Sequence, residues 1–123
     1  MSGNINFNGW LNDDGSENYK CRAWVNFNGT GTVAIRAAGN VSSITDNGTG
    51  DYSVNFTTAM PDENFATVST HQALTTAGYI SHVNNGYYGS VYQTTTLVRV
   101  AGALGNDYGE VRDTAYVGIA IFR

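Results

Sequence analysis

Proline and cysteine occur once each in this sequence of 123 residues, lysine once and histidine twice. Each scarcity removes a class of answer. A lone Cys21 cannot form an intrachain disulfide, and with only His71 and His82 beside it no zinc-ligand spacing can be assembled. Six Lys and Arg against ten Asp and Glu leave a net charge of −4. No basic stripe exists for a phosphate backbone, so nucleic acid is not an expected partner. Charged residues make up only 13% of the chain, and stretches rich in Ala, Leu, Glu and Lys are missing, which argues against helices. No apolar run approaches membrane-spanning length, so no membrane insertion is expected. The opening residues lack the basic-then-apolar pattern of a secretion signal. The expectation is a protein made in a cytoplasm that reaches the outside by lysis.

What is abundant points one way. Gly, Asn and Thr are the commonest residues, and with Val and Tyr they divide between pleated strands and the turns that join them. Cys21 to Phe27 alternates, Asn28-Gly29 follows, and Thr32 to Ala37 alternates again with Val33, Ile35 and Ala37 on one face. Val41 to Thr45 runs into Asp46-Asn47-Gly48-Thr49-Gly50-Asp51, after which Tyr52, Val54 and Phe56 alternate with Ser53, Asn55 and Thr57. Asn-Gly between alternating runs is a strong hairpin signal, so tight turns are expected at Asn28-Gly29 and Asn47-Gly48. Pro61 interrupts the pattern, Phe65 to Thr70 resumes it, residues 72–90 are irregular, and Val91 to Ala101 and Ala115 to Phe122 complete the series. Short strands at this spacing predict an all-β fold, a single antiparallel β-sandwich of about eight strands. Residues 20–123 form that domain, and residues 1–19 read as an N-terminal arm or a short first strand.

The alternation also assigns faces. Cys21 falls in phase with Ala23, Val25 and Phe27, which predicts a small buried thiol. Tyr52, Val54 and Phe56 belong to the same core. Trp24 points to the opposite face from Val25, where it meets either the axis of an oligomer or residues 1–19. These seven residues, Cys21, Trp24, Val25, Phe27, Tyr52, Val54 and Phe56, are expected in the core or at a subunit contact.

Three segments resemble a domain common near the C-terminus of tail fibres and tail proteins of tailed bacteriophages. They are Cys21 to Arg36 (CRAWVNFNGTGTVAIR), Asn40 to Tyr52 (NVSSITDNGTGDY) and Val54 to Asp62 (VNFTTAMPD). Beyond Phe65 the similarity is one of style. The resemblance implies a homotrimeric virion protein, a non-enzymatic fibre or adhesin tip for host attachment that docks on other virion proteins and binds a surface glycan or protein. A structural virion role, as capsid decoration, collar or joint, is the alternative, and a small glycan-degrading enzyme is a third. In the family the segment follows a long shaft, whereas about twenty residues precede it here. That implies docking as a separate tip, decoration of another part of the particle, or a trimmed fibre. The resemblance brings no catalytic or binding residues with it.

Motifs for chemistry are thin. Gly29-Thr30-Gly31-Thr32 is followed by a period-two run rather than the helix a dinucleotide site needs. Cys21 with His71 makes a poor nucleophile pair if Cys21 is buried. Asp51 and Asp62 are candidates for a glycosidase pair, but Asp at turns ordinarily caps its own backbone. Asp46 and Asp51 flank a turn and could face calcium, against the plainer turn reading. No catalytic residue, metal ligand or cofactor is assigned. The candidate ligand surface is the aromatic and amide cluster Tyr79, His82, Asn84, Asn85, Tyr87, Tyr88 and Tyr92. Its flat rings beside amides suit sugars, although the same mixture also serves protein interfaces.

Overall fold

The structure is a computed structural model that describes residues 4–6, 9–16, 19–71, 81–84, 93–104 and 113–123. Ten strands run through the described residues: β1 (Asn4–Asn6), β2 (Gly9–Leu11), β3 (Cys21–Asn28), β4 (Ala34–Gly39), β5 (Val41–Gly48), β6 (Asp51–Phe56), β7 (Ala66–His71), β8 (Ser81–Asn84), β9 (Leu97–Leu104) and β10 (Val117–Phe122). All pairings between them are antiparallel, and the described residues contain no helix. β1 and β2 pair with each other. The rest make two four-stranded sheets, ordered β4-β3-β10-β7 and β5-β6-β9-β8.

The two sheets share one core, as in a sandwich. Ala23, Val25 and Phe27 on β3 and Val117, Ile119 and Ile121 on β10 face Tyr52, Val54 and Phe56 on β6 and Val98 and Val100 on β9, all buried. Period-two alternation is what aims them inward, and each fully buried Val, Ile or Phe contributes about 1.5–3 kcal/mol of transfer free energy. Phe27 and Tyr52 meet edge to face across the sheets, centroids 5.1 Å apart. Phe56 and Phe65 do the same at 5.7 Å, so Phe65 and Met60 in the β6–β7 connection plug one side of the core.

The chain crosses from one sheet to the other at Asn40, which adopts a left-handed conformation with φ of 56°. Asn tolerates that region better than most residues. Its side chain holds the corner. Nδ2 donates to the carbonyls of Arg22 (3.1 Å) and Thr58 (3.0 Å), and Oδ1 accepts from the Thr58 N–H at 2.7 Å. One residue thus ties β3, the β4–β5 corner and the segment after β6. Nearby, Asp62 receives Arg123 Nε at 2.9 Å and Nη2 at 2.6 Å, and this pairing holds its carboxyl down at about 2.

Single-residue bulges alter three expectations. β10 pairs Ile121 with Ala23 but Phe122 with Cys21, so Arg22 is extra and Cys21 changes face. Cys21 is therefore exposed instead of buried, its Sγ 3.1 Å from the Ala23 carbonyl. Arg36 is extra in β4, which puts Ala37 opposite Asn26 and not on the face of Ile35. The turn after β5 is Thr49-Gly50, because Gly48 pairs with Asp51 and Asn47 is the bulged residue. The first hairpin is also wider than expected. Residues 29–33 join β3 to β4, and Asn28 Oδ1 caps the Thr30 N–H at 2.9 Å. Trp24 lies on the face opposite Val25, and in the single chain it is 45% exposed.

Candidate functional site

The aromatic and amide cluster expected to bind a ligand divides in two. His82 and Asn84 fall on β8, at register positions opposite Ala103 and Ala101. A strand there was not foreseen, since residues 72–90 show no clear alternation. Tyr79, Asn85, Tyr87, Tyr88 and Tyr92 lie outside the described residues.

Where side chains are described, polar groups converge at the end of the sandwich near the Thr49-Gly50 turn. Tyr52 is fully buried, and its hydroxyl needs a partner there. It lies 2.8 Å from the Gly29 carbonyl and 2.8 Å from Asp113 Oδ1, and its one proton serves both acceptors. Asp113 Oδ1 also accepts the Gly50 N–H at 2.7 Å, and the Gly29 N–H donates to the Thr114 carbonyl at 2.8 Å. Glycine is required at position 29, because a Cβ there would stand 2.8 Å from Tyr52 Cζ and 2.9 Å from the Thr114 oxygen. Burial, then the hydrogen bond that Tyr52 donates to Asp113, raises the Tyr52 pKa far above the ordinary tyrosine value. A phenol held neutral in this way anchors β6 to the β3–β4 loop. Sequence alternation had assigned Tyr52 to the core but gave no sign of Asp113 as its partner.

Asp51 adjoins this cluster. Arg99 grips it with both Nε, at 2.8 Å from Oδ1, and Nη2 on Oδ2, and Asn47 Nδ2 lies 3.4 Å from Oδ1. The hydrogen bonds from Arg99 lower the Asp51 pKa. Of the carboxylates weighed for glycoside cleavage, Asp51 is thus occupied by Arg99 and Asp62 by Arg123. Asp46 Oδ1 accepts the Gly48 N–H at 3.0 Å, the backbone capping expected of a turn aspartate. Among the described residues no three His, Cys, Asp or Glu side chains group together as metal ligands.

The two sheets present opposite kinds of outer surface. On β5 and β6 the outward side chains form a hydrogen-bonded ladder: Asn55 Nδ2 donates to Ser43 Oγ (3.1 Å) and Thr45 Oγ1 (2.9 Å), and Asn47 Nδ2 donates to Ser53 Oγ (2.9 Å). On the β4-β3-β10-β7 sheet the outward positions carry Trp24, Val68 and Phe122, exposed by 45, 54 and 41%. Between Trp24 and Val68 runs an open trough of about 320 Å³, bordered by Asn26 and Thr70 and floored by Gly118 and Ala120. A second depression, of about 430 Å³, lies where Lys20, Cys21 and Arg22 approach Thr58 and Pro61. Comparison with protein-family models, with curated proteins and with solved structures finds no match for this chain.

Proposed function

We propose that this chain is a non-enzymatic virion protein of a tailed bacteriophage, a homotrimeric tail-fibre or adhesin tip that binds the host cell surface. One observation carries the reading. The segments that resemble phage tail-fibre domains coincide with a complete structural unit: residues 21–36 supply β3 and enter β4, residues 40–52 supply the Asn40 corner and β5, and residues 54–62 complete β6. The similarity therefore spans strands of both sheets and the corner that joins them, which is the part a family of varied tips would hold constant. Residues 66–113 then bear the variable surface, because loops on a rigid scaffold tolerate change.

A structural role in the capsid, collar or a joint is the second reading, favoured by the apolar outer sheet face, which suits permanent protein contacts. Both readings place the protein in the particle after synthesis in the host cytoplasm and release by lysis. Labelling of purified virions with an antibody to this chain, viewed by electron microscopy, separates them. Gold at distal fibre ends, together with binding of the purified protein to host cells, is the expected result. Gold on the capsid lattice or collar establishes the structural role instead.

A further inference from the structure

We propose that the outward face of the β4-β3-β10-β7 sheet is the surface on which copies of this chain pack against one another, the Trp24 indole of one copy seating in the trough of the next. The inference rests on the reading of the chain as a homo-oligomer, and it names the contact.

The distribution of apolar side chains makes the first argument. The large apolar residues exposed among the described positions are Tyr19, Trp24, Ile35, Val68, Tyr116 and Phe122. All but Tyr19 belong to or border this one sheet and none belongs to the other; Ile35, paired with Phe27, is on the inner side at the β4 edge, and Trp24, Val68 and Phe122 are on the outer face. β7 is the most telling strand. Thr67 and Ser69 share the inward side with their partners Ile121 and Ile119, while Val68 is turned outward beside Ala120. That orientation leaves the Thr67 hydroxyl buried without a hydrogen-bond partner. A strand that faces water outward and a core inward normally has the reverse pattern. β7 therefore presents its branched apolar residue where an outer layer covers it.

Shape makes the second argument. The indole of Trp24 lies over Gly39, where any Cβ would strike the ring, so it forms a ridge on one flank of the sheet. Val68 forms the opposite ridge. Between them Gly118 keeps the floor low, since a Cβ there would stand 2.7 Å from Thr70 Oγ1. A dry cavity of about 150 Å³ accommodates benzene, so a trough of about 320 Å³ takes an indole. A knob and a matching hollow side by side on one surface are what self-association between identical chains requires. The trough offers few hydrogen-bonding groups, Asn26 and Thr70, against a Trp, a Val and an Ala, which fits a protein surface better than a hydroxyl-rich sugar.

Area makes the third. Four strands about 4.8 Å apart and six residues at about 3.3 Å give a face of on the order of 400 Å² in flat projection. A specific interface needs about 1,000 Å² in total, near 500 Å² per partner. The relief of the side chains supplies the difference only if a copy covers the whole face from β4 to β7, and the exposure of Tyr116 just before β10 accords with that extent.

Sedimentation velocity at micromolar concentration tests this on the wild type, on Val68→Lys and on Ser43→Lys, a control on the other sheet. The expected outcome is an oligomer for wild type and for Ser43→Lys, and a monomer for Val68→Lys with unchanged far-UV spectrum and cooperative melting. A second readout does not depend on the lysine variant folding. In a Trp10→Phe background, Trp24 emission shifts to longer wavelength on dilution, as the indole leaves its seat. A Val68→Lys oligomer of wild-type mass, or Trp24 emission that stays constant while the oligomer dissociates, overturns the contact and leaves the fibre reading standing. A monomeric wild type, including one that binds glycan, overturns the contact and the homo-oligomer together.

Discussion

Replacing Tyr52 by Phe removes one hydroxyl and nothing else. The ring keeps its edge-to-face contact with Phe27, and the aromatic core remains filled. What disappears is the proton shared by the Gly29 carbonyl and Asp113 Oδ1, each 2.8 Å away. A hydrogen bond between neutral groups is worth about 0.5–1.5 kcal/mol net, and one to a charged group about 1.5–3. The carboxylate and carbonyl are left facing a hydrocarbon edge. Asp113 still receives the Gly50 N–H, which limits the loss. The sum is a destabilisation of about 2–3 kcal/mol. At about 3–5 °C per kcal/mol for a domain of this length, the melting temperature falls by roughly 6–15 °C. Urea titration followed by tyrosine and tryptophan fluorescence measures it directly, with an unchanged m-value showing that the folded state is the same. A midpoint shift equivalent to less than about 0.5 kcal/mol refutes the assignment of this hydroxyl as the anchor between β6 and the β3–β4 loop.

Three further outcomes follow from other features. Asn40→Ala loses the hydrogen bonds to Arg22 and Thr58 and also the tolerance of a φ of 56°, at a cost of about 2–4 kcal/mol. Asn40→Gly keeps the backbone and recovers part of that loss, and equal stability of the two variants in urea would show that strain plays no role there. Thr67→Val replaces a buried, unpartnered hydroxyl by a methyl and raises stability by about 1 kcal/mol in the same assay, whereas a loss would mean the hydroxyl is satisfied. Because Arg99 holds the Asp51 pKa below its ordinary 3.8, the pair's contribution is present at neutral pH and disappears as pH falls below about 4. Asp51→Asn lowers stability at pH 7 and flattens its acid limb below pH 4, and parallel acid limbs for the two proteins would contradict this.

The sequence made most of the fold legible because its inward positions keep strict alternation. Val25, Phe27, Tyr52, Val54 and Phe56 are buried as period two requires, and they come from strands of both sheets. Trp24 falls on the outer face for the same reason. The Tyr52–Asp113 bond was illegible because a gap of sixty residues separates the partners, and no local pattern marks it. β8 was hidden because Ser81–Asn84 is a short segment among Gly and Asn, whose strand character comes from pairing with β9. The ligand cluster was a judgement of composition, and of its members only His82 and Asn84 fall within the described residues.

The misplaced residues have a common cause, and it bears on how the molecule meets its partners. Alternation fails wherever one strand holds an extra residue: Arg22 in β3, Arg36 in β4, Ser42 and Asn47 in β5. Each of these side chains is used. Arg22 Nε donates to the Arg123 carbonyl, and Arg36 lies 4.0 Å over the Tyr116 ring. Ser42 Oγ donates to the Asn55 carbonyl at 3.2 Å, and Asn47 reaches Ser53. Three of the four bulges sit on β4 and β5, which are edge strands of the two sheets. An edge strand with unpaired N–H and C=O groups invites another chain to extend the sheet, and a bulge breaks the ladder that such a chain would need. On β4 an arginine stands at the bulge itself. Edge-to-edge growth is thus obstructed along the flank where β4 and β5 meet, while the outer face bears the exposed apolar side chains Trp24, Val68 and Phe122. Edge pairing can propagate from copy to copy, whereas contact through a face closes into a ring when the rotation between copies allows it. This allocation of bulges to edges and apolar residues to a face obstructs growth at the sheet edges and leaves the face as the surface open to contact.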